Sequence, residues 1–166
     1  MLLNIFSIQK CLATNITGQT PLGNNADNNK AIYASIKAKE ANVRKGPGTN
    51  YPIFFKVIGK NTPVKVYGKS NEWALIQTRE SSKGWIKANF LSSQNRYGTS
   101  LTERKICRLP TVKINLCQII GILPKNSNFK LIQCGKKWCR IEVSQKLRGW
   151  IVKETIWGIN NNEIIK

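Results

Sequence analysis

The stretch WALIQTRESSKGWI (residues 73–86) returns sixty-five residues later as WCRIEVSQKLRGWI (residues 138–151), with both tryptophans, an isoleucine and the Gly-Trp-Ile ending in register. The same shift lays Lys60-Asn61-Thr62 on Lys125-Asn126-Ser127 and Lys65 on Lys130, without a gap. Four of the five tryptophans are thereby locked into one repeat. Self-similarity at such a period means two copies of one unit of about 60 residues.

Outward from the repeat, each copy reads as strands. Val64 and Val66 flank Lys65, and Trp73 and Leu75 alternate with Ala74 and Ile76, the period-two pattern of a sheet with one buried face. In the first copy, strands are expected at residues 35–44, 53–58, 63–67, 72–78 and 83–87, with turns at 45–51, 59–62, 68–71 and 79–82. In the second they fall at 104–108, 118–123, 128–134, 138–143 and 147–152. Helices have no obvious place. Five short strands can bury their edges only by curling into a small barrel or paired sheets.

The run Asn42-Val43-Arg44-Lys45-Gly46-Pro47-Gly48-Thr49-Asn50-Tyr51-Pro52, followed by Trp73 and Gly84-Trp85-Ile86, resembles the bacterial SH3-like domain family. There an N-V-R-x-G-P-x-x-x-Y-P stretch precedes a later G-W-V or G-W-I, and every quoted position matches. The second copy keeps Arg108, Trp138-Cys139-Arg140-Ile141, Gly149-Trp150-Ile151 and Ile156-Trp157-Gly158, and lacks the Gly-Pro-Gly turn. The pairing looks like a tandem SH3-like protein of the alphaproteobacterial type, usually exported. The resemblance covers roughly residues 35–158. It implies an all-β fold, two tandem five-stranded SH3-like barrels, and binding rather than catalysis. Some members accompany cell-wall hydrolases and bind peptidoglycan peptides, others mediate protein contacts, and the family has no uniform ligand. The expected layout is a possible signal remnant and flexible linker at 1–30, a first domain at 31–93, a linker at 94–100, a second domain at 101–158 and a tail at 159–166.

Candidate ligand contacts are Arg44, Tyr51, Tyr67, Trp73, Trp85, Trp138 and Trp150, around grooves between the 45–51 loop and the 68–71 hairpin. In so small a module the four tryptophans have a second reading, as large buried area for a marginal core. A tyrosine beside a turn can offer an apolar face while its hydroxyl stays wet, and half-burial in the turn is the plainer alternative. Gly46-Pro47-Gly48 reads as a fixed φ between two permissive residues, suited to a tight irregular loop.

Cys134 and Cys139 flank a four-residue connection between expected strands, a geometry that suits a cross-strand disulfide. Cys107 and Cys117 are a candidate second pair. Zinc is the rival reading, but C-x9-C followed by C-x4-C fits short-knuckle spacing badly, so no metal site is expected. Cysteine enrichment in the second copy points to an oxidising compartment. No cofactor motif is present.

The chain of 166 residues has 27 Lys and Arg against 8 Asp and Glu, a net charge of +19, and no histidine. Without histidine the commonest general base and every Ser/His or Cys/His pair are gone. Glu40, Glu72, Glu80, Glu103, Glu142 and Glu154 are scattered, so an enzyme is not expected. The field would concentrate polyanions, and a nucleic-acid-binding barrel is the alternative function. Yet lysines outnumber arginines twenty to seven, the Ile, Asn and Lys bias is that of an AT-rich genome, and the charge is spread evenly. Residues 34–93 hold eleven cations against three carboxylates and residues 101–158 twelve against three. The expected partner is therefore cell-wall peptide, peptidoglycan or a protein, with nucleic acid held only through non-specific charge.

No run approaches the roughly 18 to 20 apolar residues of a membrane span. Residues 1–8 hold a short apolar run without a basic flank, readable as a clipped signal peptide or a frayed tail. Lys10 before Cys11 argues against lipid attachment. Residues 14–30, rich in Asn, Thr and Gly, read as a flexible linker. The expected location is periplasmic or secreted, with the cytoplasm left open.

Overall fold

Repetition in the sequence is repetition in space. The computed structural model describes residues 31–111, 116–144 and 147–166; the N-terminal apolar run, the Asn-rich segment and Cys11 lie outside the described residues. The first sheet contains β1 (Ile32–Ile36), β2 (Glu40–Arg44), β3 (Ile53–Ile58), β4 (Pro63–Ser70), β5 (Trp73–Gln77), β6 (Lys83–Lys87) and β7 (Leu91–Ser92), in the order β3-β2-β6-β5-β4-β1-β7. The second contains β8 (Tyr97–Ser100), β9 (Arg104–Cys107), β10 (Ile119–Leu123), β11 (Asn128–Cys134), β12 (Trp138–Ser144), β13 (Leu147–Val152) and β14 (Ile156–Trp157). Its order, β10-β9-β13-β12-β11-β8-β14, repeats the first element for element. A single 3-10 turn precedes the last strand of each sheet, Ala88–Phe90 in one and Lys153–Thr155 in the other. The protein is all-β, two tandem SH3-type barrels.

Each barrel has its own core. Ala34, Ile36, Val43, Val64, Ile76 and Ile86 form the first. Ile106, Leu123, Phe129, Ile141 and Ile151 form the second, together with the cysteines of the β11–β12 hairpin. β-Branched residues dominate because alternate positions of short strands fill so small an interior. The glycine of each Gly-Trp-Ile triplet lets two strands close over that interior. A Cβ on Gly84 would lie 2.6 Å from Val43 Cγ1, and one on Gly149 would lie 2.4 Å from Ile106 Cγ2. Asn61 and Asn126, matched by the repeat, both take left-handed backbone, and their N–H groups donate to the carbonyls of Ile36 (2.7 Å) and Ser100 (2.9 Å).

Several expectations shift. Seven strands build each sheet rather than five. The strand expected at 35–44 is two strands, broken at a corner where the Lys37 N–H donates to the Phe90 carbonyl. Gly68 lies inside β4 at a register shift, and the turn of that hairpin is at Asn71-Glu72. Tyr97–Ser100, read as the end of a linker, is the strand that answers to β1. Residues 159–166, read as a tail, are bound to the second barrel: Ile159 is buried, and Ile165 exchanges backbone hydrogen bonds with Cys134.

Candidate functional site

Alternation along β2 buries Ala41 and Val43 and turns Glu40, Asn42 and Arg44 outward. Beside them lie Thr49 from the following loop, Lys87 at the end of β6, and Trp73 at the start of β5. Together they line a groove of about 320 Å³. Trp73 is only 8% exposed, yet it stands outside the core cluster, and its indole forms a groove wall. In the second barrel the same place holds a groove of about 490 Å³, lined by Glu103, Arg104, Lys105, Trp138, Val152 and the Cys107–Cys117 disulfide. Trp138 answers to Trp73, Val152 to Lys87, and Cys107 to Arg44.

By the last correspondence Cys107, and not the Arg108 that the second copy keeps, stands where Arg44 stands in the first. Arg44 lies opposite Trp85 across the ladder, and Cys107 lies opposite Trp150. Arg108 answers to Lys45: the Lys45 N–H donates to the Pro52 carbonyl (3.1 Å) and the Arg108 N–H to the Gln118 carbonyl (2.9 Å). The two loops are thus closed by different chemistry at one position. Arg44 Nη1 donates to the Tyr51 carbonyl at 2.7 Å. Cys107 and Cys117 close the second loop covalently, with Cα atoms 5.4 Å apart.

The expected ligand residues do not all converge. Arg44 and Trp73 line the first groove and Trp138 the second, whereas Tyr51, Tyr67, Trp85 and Trp150 line neither. The tryptophans flank the core: Trp73 is buried, the other three are half-buried, and none of the four belongs to either core cluster. Trp85 stands on the outer sheet face between Arg44 and Leu75, and Trp150 between Cys107 and Arg140. The Tyr51 ring covers the Gly46-Pro47-Gly48 turn, where a Cβ on Gly46 would come within 2.3 Å of it. Tyr67 is half-buried; its hydroxyl donates to Gln77 Oε1 (2.5 Å), and the Lys83 ammonium lies 4.7 Å from its ring centre. Glu40, Asn42, Lys87, Arg104 and Lys105 were missed. The alternation of β2 exposed the first two, while the others depend on how strands distant in sequence pack side by side.

Both cysteine pairs of the second barrel are disulfides, Cys107–Cys117 and Cys134–Cys139, so the thiols of the rival zinc reading are consumed. Ion pairs engage Glu40 with Lys56 (2.6 Å), Glu80 with Arg79 (2.9 Å) and Glu142 with Arg148 (2.6 Å). Desolvation raises the Glu80 carboxyl, but hydrogen bonds from its own backbone N–H, from Arg79 and from Thr78, with the charge of Arg79, together outweigh it and hold the carboxyl below its ordinary range. No helix among the described residues is long and apolar enough to cross a membrane.

Two repeated barrels with a groove at the same place in each define a tandem SH3-type architecture. Family comparison agrees: one bacterial SH3 domain model matches residues 39–92 and a second matches residues 126–158, and the chain is a tandem bacterial SH3 domain protein. Among solved structures it is similar to NlpC2 from Trichomonas vaginalis, at 18% identity and a TM-score of 0.36 over 77% of this chain and 48% of that one. It is also similar to NlpC1 from the same organism, at 16% identity and a TM-score of 0.35 over 76% of this chain and 45% of that one. The chain thus spans about half the length of these structures. A sequence comparison with curated proteins finds no match.

Proposed function

We propose that this protein is a non-enzymatic binding module of the bacterial cell envelope that holds cell-wall peptides or a protein partner in its two tryptophan-walled grooves. The observation that carries the reading is the recurrence of one groove at one place in both barrels, although few of its lining residues are shared. Each combines an indole wall with cations and a carboxylate: Arg44, Lys87 and Glu40 in the first, Arg104, Lys105 and Glu103 in the second. Such a surface suits short peptides that carry both amines and carboxylates, with the aromatic wall supplying contact area and the charges orientation. Two disulfides support an extracytoplasmic location. The engagement of Glu40, Glu80 and Glu142 in ion pairs supports the non-catalytic reading.

Retention on purified sacculi, followed by titration with soluble muropeptides, tests the proposal. Trp73→Ala is expected to weaken binding by about tenfold or more, the loss of one aromatic anchor. Failure of sacculi and of a peptide library to retain the wild-type protein at moderate salt would overturn it.

A further inference from the structure

The second barrel has a further cavity close to its groove. Beside its groove, on the other side of Trp138 and Val152, lies a larger cavity of about 720 Å³ that also reaches Lys136, Lys137, Glu154 and Asn161. The two share Trp138 and Val152 and make one trough, with Arg104 and Lys105 at one end and Lys136 and Lys137 at the other. We propose that this trough binds an acidic glycan chain, with sugar rings against the Trp138 indole and carboxylates at the two cation pairs. The inference rests on reading the Trp138 groove as a ligand site.

Three observations support it. The side chains of Arg104, Lys105, Lys136 and Lys137 make no ion pair or hydrogen bond among the described residues, and Arg104 Nε is a buried donor without a partner. The Lys136-Lys137 tip is also held in place. Cys134 and Cys139 pair across the hairpin and are bonded, the Gly135 N–H donates to the Trp138 carbonyl at 2.9 Å, and Lys153 Nζ donates to the Gly135 carbonyl at 3.1 Å. A fixed hairpin backbone lowers the cost of placing the two exposed lysines on a ligand. Finally, the arrangement is not a by-product of the repeat. The first barrel has Asn71 and Glu72 where the second has Lys136 and Lys137, and no segment there answers to residues 159–166.

Two cation pairs on either side of one indole match a chain with anions at intervals rather than a single small anion. Glu103 and Glu154 sit among them and disfavour a ligand of dense charge. A single-stranded nucleic acid would present phosphates and stacking bases to the same trough. Disulfides persist in oxidising compartments, apart from the nucleic acid of the cytoplasm, and this favours the glycan.

Binding to alginate, a polyuronate, is to be measured against neutral dextran and a dT20 oligonucleotide, at two salt concentrations. Alginate is expected to bind and dextran not. Lys136→Glu with Lys137→Glu, and separately Trp138→Ala, should each weaken alginate binding by about tenfold or more. The charge-matched control, Lys37→Glu with Lys39→Glu on the exposed corner of the first barrel, should change it by less than about twofold. Equal loss in the control means net charge alone and overturns the proposal, as does tighter binding of dT20 than of alginate, or no alginate binding. Retention on sacculi that depends on Trp73 without any alginate binding would sink this inference and leave the broader binding function standing.

Discussion

At the scale of single residues, the signature turn of the first barrel shows what a motif means physically. The sequence suggests that Gly46 and Gly48 are there for backbone freedom, yet the glycines with positive φ among the described residues are Gly59 and Gly158. What Gly46 provides is room, because the Tyr51 ring lies where its Cβ would be. Gly46→Ala is therefore expected to cost about 1–3 kcal/mol by overpacking. In a Tyr51→Ala background the same change should cost almost nothing, and a double-mutant cycle in chemical denaturation measures the difference. Tyr33 offers a second residue-level test. Burial first, then the neighbouring Tyr67 and Glu163, push its phenol up from 10 to about 12, against a smaller opposing effect of Arg96. A phenol raised in the folded state contributes stability that is intact below pH 10 and is lost as pH climbs toward 12. The loss is of order 2–3 kcal/mol, at about 1.4 kcal/mol per unit. Tyr33→Phe should remove that alkaline limb, and denaturation curves at pH 9, 10.5 and 12 that run parallel for both proteins would refute the assignment.

At the scale of elements, the parts of the fold legible in the sequence are those whose burial is local. The β3, β6 and β11 bounds coincide with the expected strands because alternation and flanking turn formers announce them. The β8 strand escaped notice because Tyr-Gly-Thr-Ser carries no apolar signal; its Thr99 and Ser100 are buried only because β11 and β14 lie on either side. The C-terminal segment has Ile159, Ile164 and Ile165, but without period-two alternation they do not announce a strand. It is held by Lys153, which is buried and whose ammonium donates to the carbonyls of Gly135 (3.1 Å), Asn161 (2.8 Å) and Glu163. Desolvation pulls that ammonium below the ordinary lysine range, with Glu163 opposing. Lys153→Met would leave three inward carbonyls without their donor and should cost about 2–4 kcal/mol. Glu163 completes the clasp by pairing with Arg96. Burial raises its pKa, but hydrogen bonds from Arg96 and the Asn160 N–H, with the charges of Arg96 and Lys153, outweigh it and hold the carboxyl below the usual range. Its stabilising contribution is therefore present above the ordinary carboxylate pKa of about 4 and is lost as pH falls through the depressed folded value. Glu163→Gln should flatten this acid limb of the stability profile.

At the scale of the whole molecule, the repeat predicts two units but not how they meet, because every contact between them described below has at least one partner that the repeat does not share. Tyr33 meets Trp157 edge-to-face at 5.2 Å, where the position matching Tyr33 in the second barrel is Gly98. The Tyr97 N–H donates to Ser35 Oγ (3.0 Å), Arg79 Nη1 donates to Asn126 Oδ1 (2.5 Å), and Asn160 Nδ2 donates to the Ala31 carbonyl (3.0 Å). Gly158, at φ +120°, brings the chain so close that a Cβ would lie 2.5 Å from the Tyr97 carbonyl and 3.1 Å from Pro63 Cβ. An aromatic pair of buried Tyr33 and half-buried Trp157, with hydrogen bonds around it, couples the stabilities of two barrels that are each small enough to be marginal alone. The wild-type protein should therefore unfold in one calorimetric transition. Trp157→Ala removes the aromatic contact from one side while leaving both barrel cores intact, so it should split the transition in two. Two transitions already present in the wild type would show that the barrels are energetically independent, and that each groove must then be described as belonging to a separate domain.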